Sequence, residues 1–299
     1  MSTVHDTYLT DNTEGAGWRM MLGDSCERLA ELADDSIDLS ICSPPFASLF
    51  VYSPSPRDLG NSETRAEFLE HYGYVIREQL RVTKPGRIAC VHAQQLALTK
   101  ATHGETGLTD FRGDVIRAFM GDGWIFHGEV TVNKDPQAQA IRTKAQALMF
   151  VTKNRDSSKT RPALADYLLL FRKPGENLVP IKTDVTNDEW VDWAQPIWLD
   201  IREYNTLNVG IAREHADERH ICALQLDFIE RCVRLWSNAG ELVLSPFAGI
   251  GSEGVGALRH GRRFVGIELK PAYYRVACRN LAAAESDANA PQLFDESAV

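Results

Sequence analysis

The stretch that decides the fold is LVLSPFAGIGS at residues 242–252, an apolar run that passes into a turn containing two glycines. Gly249 and Gly251 would let the backbone approach a ligand closely, because no Cβ stands in the way. A second apolar run at 264–269 carries Glu268 near its end. An acid about 20 residues after such a turn accepts hydrogen bonds from a ribose diol in dinucleotide folds. These features predict a site for an adenosine-containing ligand, with NAD, FAD and S-adenosylmethionine open; a tight turn and a surface glutamate form the alternative.

Short apolar runs alternate with longer amphipathic stretches along the whole chain. This alternation is typical of an α/β fold, in which helices cover both faces of a mostly parallel, twisted sheet. The predicted strands are 18–22, 37–42, 87–92, 125–132, 147–152, 167–171, 242–245 and 264–269. The clearest predicted helices are 65–82, 110–121, 221–237, 253–260 and 271–284.

Composition narrows the class of protein but not its chemistry. The 299 residues, 44% hydrophobic and 24% charged, exclude collagenous, coiled-coil and largely disordered classes. Neither a signal peptide nor a membrane-spanning run of about 20 apolar residues is apparent, which predicts an intracellular location without a membrane partner. Six cysteines without a C-x-x-C pair predict buried free thiols rather than a metal site or a disulfide framework.

Charge is distributed unevenly along the chain. The net charge of -9 argues against a protein that coats nucleic acid without specificity. Residues 134–173, however, hold nine basic and three acidic residues, a net of +6, whereas 174–230 hold four basic and twelve acidic residues, a net of −8.

A proline-rich tetrapeptide, Ser43-Pro44-Pro45-Phe46, follows the predicted strand 37–42 directly. The two prolines fix φ and remove two donors, so that the Ser43 hydroxyl and the Pro44 carbonyl can both be held as acceptors aimed at one point. This arrangement suits an exocyclic amine, because the nitrogen becomes more nucleophilic when both of its N–H groups donate hydrogen bonds to acceptors. The ring of Phe46 would stack on the base. The alternative is a structural proline turn, which the glycine turn and Glu268 disfavour.

Together these stretches resemble the β class of S-adenosylmethionine-dependent DNA amino-methyltransferases, in which the catalytic motif precedes the cofactor motif. The resemblance implies a Rossmann-like class I methyltransferase fold and S-adenosyl-L-methionine as the cofactor. In it, 43–46 resembles motif IV and Glu268 resembles the ribose-binding acid of motif II. The F-x-G-x-G of motif I corresponds to Phe247, Gly249 and Gly251.

Two weaker matches and two departures complete the resemblance. Asp24 resembles the motif III position near the adenine, and His220 resembles the start of motif X. Ser245 stands where the family usually has Asp, which puts one contact to the amino-acid end of the cofactor in question, and Cys222-Ala223 replace a common proline. The implied division is a catalytic half (1–173), an insertion and candidate target-recognition region (174–219), the cofactor-binding half of the same domain (220–285) and a tail (286–299).

The family resemblance also bears on the base. A leading Ser in motif IV usually accompanies cytosine N4 methylation, so cytosine N4 is favoured and adenine N6 is the alternative. Such a base must leave the duplex to react. Cytosine C5 chemistry needs a cysteine nucleophile, carried in that family as Pro-Cys, and none of the 13 prolines here precedes a cysteine.

Double-stranded DNA is the predicted partner. The protein is predicted to be cytoplasmic and to be encoded by a bacterium, an archaeon or a phage. A homodimer and a cognate restriction nuclease stay open. The predicted phosphate contacts lie in the basic stretch: Lys134, Arg142, Lys144, Lys153, Arg155, Lys159 and Arg161. An RNA or protein amide methyltransferase is a second interpretation. A non-catalytic nucleic-acid-binding module is a third, disfavoured by the intact motif residues.

Overall fold

The computed structural model describes residues 9–45, 57–98, 104–143, 160–208 and 223–289, together with residues 55, 100, 153, 154, 156 and 158. These contain eleven strands and eight α-helices. The strands are β1 (Asp11–Glu14), β2 (Trp18–Leu22), β3 (Ile37–Cys42), β4 (Thr83–Gln94), β5 (Leu96–Leu98), β6 (Gly107–Thr109), β7 (Ile125–Val132), β8 (Asp166–Arg172), β9 (Ile197–Trp198), β10 (Leu242–Ser245) and β11 (Arg263–Glu268). The helices are α1 (Ser25–Arg28), α2 (Arg65–Val82), α3 (Phe111–Gly121), α4 (Pro136–Thr143), α5 (Asn187–Trp193), α6 (Leu226–Trp236), α7 (Ser252–Arg259) and α8 (Pro271–Asn289).

Nine of the strands form one sheet in the order β1-β2-β11-β10-β3-β4-β8-β7-β9. The five strands from β2 to β4 in this order run parallel. The chain leaves β10 toward β11 on one side and leaves β3 toward β4 on the other, so the order of connection reverses between β10 and β3. In open α/β sheets ligands bind at the carboxyl ends of the strands at such a switch point.

Helices cover both faces of this sheet. On one face α2 and α3 pack through Phe68, Tyr72 and Phe119, and on the other α6, α7 and α8 pack through residues such as Phe228 and Leu281. Neighbouring strand residues alternate between the two cores, because successive side chains of a strand point to opposite faces. The alternating elements predicted from the sequence therefore form the α/β sandwich that was expected.

Several elements differ from the prediction. β1 is polar in sequence and becomes a strand by antiparallel pairing with β2, and the β5–β6 hairpin is also additional. Helix α8 continues to Asn289, beyond the predicted tail boundary, because its alanine-rich end has no helix breaker before Pro291. The predicted strand 147–152 lies outside the described residues.

The segment 174–208 packs on the edge of the sheet and on α6. Trp198 is buried in β9, which pairs in parallel with β7. Arg234 of α6 lies 3.0 Å from Asp184 and 2.7 Å from Glu189. Arg231 forms a further ion pair with Asp200. These three of the twelve acidic residues counted in 174–230 are thus paired with arginines of α6.

Among the residues described, no helix is long and apolar enough to cross a membrane.

Candidate active site

The carboxyl ends of the central parallel strands surround one pocket. The lining includes Ser43, Pro44 and Pro45 after β3, Asp24 after β2, Phe247 and Gly249 after β10, and Glu268 at the end of β11. Residues that are distant in sequence but were assigned to one site thus share a single pocket. Phe46 and His220, which were predicted to belong to it, lie outside the described residues.

The glycine turn has the backbone conformation expected of it. Gly249 has φ +52° and Gly251 has φ +85°, the left-handed region that disfavours side chains. Gly251 is the N-cap of α7, and a Cβ there would lie 3.3 Å from Ala277. Gly251 and Ser245 do not line the pocket; Ser245 is buried beneath it, with no hydrogen-bond partner for its hydroxyl among the described residues.

Two hydrogen bonds hold the carboxylate of Glu268 at the pocket wall. The Gly249 N–H donates to Oε2 and the Lys270 N–H donates to Oε1, each at 2.8 Å. Burial nevertheless raises the pKa of Glu268 to about 7. A ribose diol would add donors to this carboxylate and favour its ionised form.

The loop after β2 is tied to the glycine turn. Asp24 caps α1 by accepting a hydrogen bond from the Cys26 N–H, and its other oxygen lies 3.4 Å from Nη1 of Arg57. The Ser25 hydroxyl donates to the Pro246 carbonyl. Both contacts fix the wall that was predicted to lie near the adenine.

A chain of polar groups runs from Ser43 away from the pocket. Ser43 Oγ lies 3.1 Å from His92 Nδ1, and His92 Nε2 lies 3.0 Å from Asp166 Oδ2. Lys134 Nζ is 2.8 Å from the same oxygen, and the Gln94 amide donates to Oδ1 at 2.7 Å. Although burial opposes ionisation, His92 and Lys134 hold the pKa of Asp166 at about 2.

The ionised Asp166 favours one arrangement of protons in this chain. A carboxylate only accepts, so a proton on Nε2 of His92 would face Asp166 across the 3.0 Å contact. In that tautomer Nδ1 would accept a hydrogen bond from the Ser43 hydroxyl. The lone pairs of Ser43 Oγ are left for a donor in the pocket, which is the role predicted for this hydroxyl.

The structure corrects the prediction for Lys134. Its side chain is 1% exposed and pairs with Asp166, so it is not available to a phosphate. Arg161 is half-buried, and burial lowers the pKa of its guanidinium. Lys153 is exposed. The side chains of the other candidates (Arg142, Lys144, Arg155 and Lys159) lie outside the described part of the chain.

Sequence reasoning missed three functional candidates, His92, Asp166 and Glu253. His92 and Asp166 flank predicted strands, but the antiparallel pairing that opposes β4 and β8 has no local signal in the sequence. Glu253 in the first turn of α7 resembles an ordinary acid that interacts with a helix N-terminus. The structure instead places it, buried, in the pocket wall.

Glu253 carries a second raised pKa in the pocket. Burial, reinforced by the charge of Glu268, raises its pKa to about 8. Among the described residues, no group of three or more His, Cys, Asp or Glu side chains could hold a metal ion. The pocket thus contains two carboxyl groups, Glu253 and Glu268, whose pKa values are raised to about 8 and about 7.

The stability of the ligand-free protein should consequently fall as the pH rises from 6.5 to 8. Glu253 and Glu268 ionise near pH 4.3 when unfolded but at about 8 and about 7 when folded. Their protonation stabilises the fold fully below the unfolded pKa, and this contribution is lost as the pH rises through the folded values. We expect the free energy of unfolding to fall by about 2 kcal/mol over this window.

Urea unfolding at the two pH values measures this change. The double variant Glu253→Gln/Glu268→Gln should show a much smaller dependence. A wild-type protein that is equally stable at both values would show that the carboxyl groups are ionised in the folded state.

A parallel-sheet switch point, a glycine turn with a ribose-type acid, and a rigid acceptor tetrapeptide define the site as that of an α/β methyltransferase. Residues 37–279 match the N6_N4_Mtase family model, described as DNA methylase. The chain belongs to this family of DNA methylases. The family and fold class predicted from the sequence are thereby confirmed, and S-adenosyl-L-methionine is the cofactor that this assignment indicates.

Curated relatives match over shorter segments. The type II methyltransferase M.BglI of Bacillus subtilis is 30% identical over 117 residues, which cover 39% of this chain and 30% of M.BglI. The DNA adenine methyltransferase YhdJ of Escherichia coli K12 is 40% identical over 53 residues, 18% of each chain. These matches thus span less than a third of either relative.

Solved structures match over most of the chain. TTHA0409 of Thermus thermophilus is 24% identical with a TM-score of 0.66, covering 88% of this chain and 93% of its own. It has also been solved in complex with S-adenosyl-L-methionine. The cytosine-N4-specific PvuII DNA methyltransferase is 19% identical with a TM-score of 0.63, covering 94% and 89%. At these identities the likeness shows the fold.

Proposed function

We propose that the protein transfers a methyl group from S-adenosyl-L-methionine to the exocyclic amino group of a DNA base, and that this base is cytosine, methylated at N4. The observation that carries the proposal is the Ser43 hydroxyl, which lines the same pocket as Glu268 and lies 3.1 Å from Nδ1 of His92. The family assignment supports DNA as the substrate.

The residues of the pocket fit the cofactor. Glu268 would accept hydrogen bonds from the ribose hydroxyls, and the loop of Asp24 and Ser25 would border the adenine. Because Gly249 has no side chain, the backbone there could approach the ligand closely. When bound, the cofactor supplies a methyl group activated by its sulfonium. The protein must then bring a nucleophile into line with it, since proximity and orientation are the main contribution to such a transfer.

Ser43 and the Pro44 carbonyl provide that orientation. When Ser43 and the Pro44 carbonyl accept hydrogen bonds from the two N–H groups of the amine, the nitrogen lone pair leaves conjugation with the base ring. The lone pair then points at the methyl group. Methylation would leave the amine nitrogen cationic, and the nitrogen would then have to give up a proton. Ser43 accepts this proton while its own passes to His92 Nδ1, and the resulting imidazolium faces the ionised Asp166.

An extruded base is required, because the amino group is paired and stacked in the duplex. Ser43 as the first residue of the tetrapeptide favours cytosine. The relatives do not separate the two bases, since YhdJ is named for adenine and the PvuII enzyme for cytosine N4. Adenine N6 is therefore the second candidate. Phosphate contacts from the basic stretch (Lys153 and the undescribed Arg142, Lys144, Arg155 and Lys159) and base reading by 174–219 remain part of the proposal.

Nucleoside analysis of host DNA tests the base. The protein is expressed in a strain that lacks its own DNA methylases, and the digested DNA is examined by mass spectrometry. We expect N4-methylcytosine above the level found with an empty vector. N6-methyladenine in its place would show that adenine is the target base. Unmodified DNA together with methylated RNA or protein would show that DNA is not the substrate.

A further inference from the structure

Glu253 is a buried carboxyl group that the proposed chemistry does not use. It is 4% exposed and lines the pocket from the first turn of α7. Within the described part of the chain, no cationic side chain forms an ion pair with it, and its hydrogen bonding is confined to its own backbone N–H. Buried carboxylates normally have a charged or donating partner. Among the described residues, Glu253 has no cationic partner.

Glu253 lines the same pocket as Glu268 and Ser43. Its charge interacts with that of Glu268, at the ribose end, and with the thiol of Cys42, which directly precedes Ser43. A cofactor whose ribose faces Glu268 and whose methyl group faces Ser43 has its sulfur between them. The amino-acid branch leaves from that sulfur, and it carries an ammonium and a carboxylate group.

The other acids of the pocket lining have partners of their own. Asp24 lies 3.4 Å from Nη1 of Arg57, and Asp58 accepts a hydrogen bond from the Gly60 N–H. Glu268 is assigned to the ribose and accepts hydrogen bonds from two backbone N–H groups. Ser245, at the end of β10, offers only a hydroxyl and is fully buried behind the pocket lining.

We propose that Glu253 binds the α-ammonium group of the methionine part of S-adenosyl-L-methionine. This supplies the negative charge that Ser245 does not. The inference rests on the proposed cofactor and goes beyond it, because it assigns a residue outside the matched motif positions to the amino-acid end. Binding of the ammonium ion requires ionised Glu253, and the raised pKa means that the free protein must release a proton when the ligand binds.

Calorimetric titration with two ligands distinguishes binding at the amino-acid end of the pocket from binding at the adenosine end. S-adenosylhomocysteine has the amino-acid branch, and 5′-methylthioadenosine has the same adenine, ribose and thioether without it. Glu253→Gln should weaken S-adenosylhomocysteine at least about tenfold, in the range of a lost charge-assisted hydrogen bond, and change 5′-methylthioadenosine less than about twofold. Glu268→Gln is the matched control and should weaken both ligands.

The wild-type protein provides an independent measurement that needs no variant to fold. Titrations at pH 7 in buffers of different ionisation enthalpy give the protons released. S-adenosylhomocysteine should release roughly one proton more than 5′-methylthioadenosine, since Glu268 contributes to both. The extra proton should disappear in Glu253→Gln.

The outcomes are distinct. Equal weakening of both ligands by Glu253→Gln, or equal proton release with the two ligands, would overturn the assignment of Glu253. Unchanged affinity for S-adenosylhomocysteine in Glu253→Gln would also overturn it, because the negative charge of Glu253 would then contribute nothing to binding. If the wild-type protein bound neither ligand, the proposed cofactor itself would be wrong.

Discussion

Replacing Ser43 by alanine is expected to lower the turnover number by about 10²–10⁴-fold, the range for loss of a positioned proton-transfer group. Affinity for S-adenosylhomocysteine should stay within about twofold of the wild-type value, because the hydroxyl accepts from the base and not from the cofactor. Single-turnover methyl transfer and calorimetric binding measure the two quantities separately.

The control for this variant is Ser36→Ala. Ser36 donates to the carbonyl of Ala33 before β3, away from the pocket, and its loss should alter neither quantity. If Ser43→Ala reduced binding and turnover by the same factor, the serine would be a structural residue of the pocket. The proposed role of His92, which is to take the proton of the Ser43 hydroxyl, would then no longer apply.

Asp166→Asn is expected to give the largest loss of stability. The carboxylate is 3% exposed and faces both His92 and Lys134. An amide in its place leaves the buried ammonium of Lys134 without its nearest countercharge, and breaking such a pair costs about 3–5 kcal/mol. The free energy of unfolding in urea at pH 7 measures this cost.

Glu203→Gln is the matched control, since Glu203 faces the same ammonium at 3.7 Å but its side chain is 28% exposed. Its loss should cost less than about 1 kcal/mol. Similar costs for the two variants would mean that Lys134 is hydrated rather than buried. Asp166→Asn should also slow turnover more than Glu203→Gln does, because only Asp166 orients His92.

The parts of this protein that were predictable are those with a local signal. The apolar strand before Ser43 and the one before the glycine turn are continuous in sequence, and parallel strands bring their carboxyl ends to one edge. This is why Ser43, Gly249 and Glu268 could be placed together. The polar strand β1 had no such signal, since only its pairing with β2 makes it a strand.

Charge was the least reliable guide. Lys134 was counted as part of a basic surface, but the fold buries it against Asp166, 32 residues later in the chain. The stretch 174–230 was counted as a net of −8, yet Arg234 forms ion pairs with two of its carboxylates. Net charge over a stretch of sequence records composition, whereas the field at a surface depends on which charges are already paired.

The most direct test of the proposed reaction uses purified protein, duplex DNA and S-adenosylmethionine with an isotopically labelled methyl group. The DNA is digested after reaction and the labelled nucleoside is identified by mass spectrometry, with the Ser43→Ala variant run in parallel. We expect the label on N4 of deoxycytidine with the wild-type protein and very little label with the variant. Label on another atom of the DNA, or equal labelling by the two proteins, would contradict it.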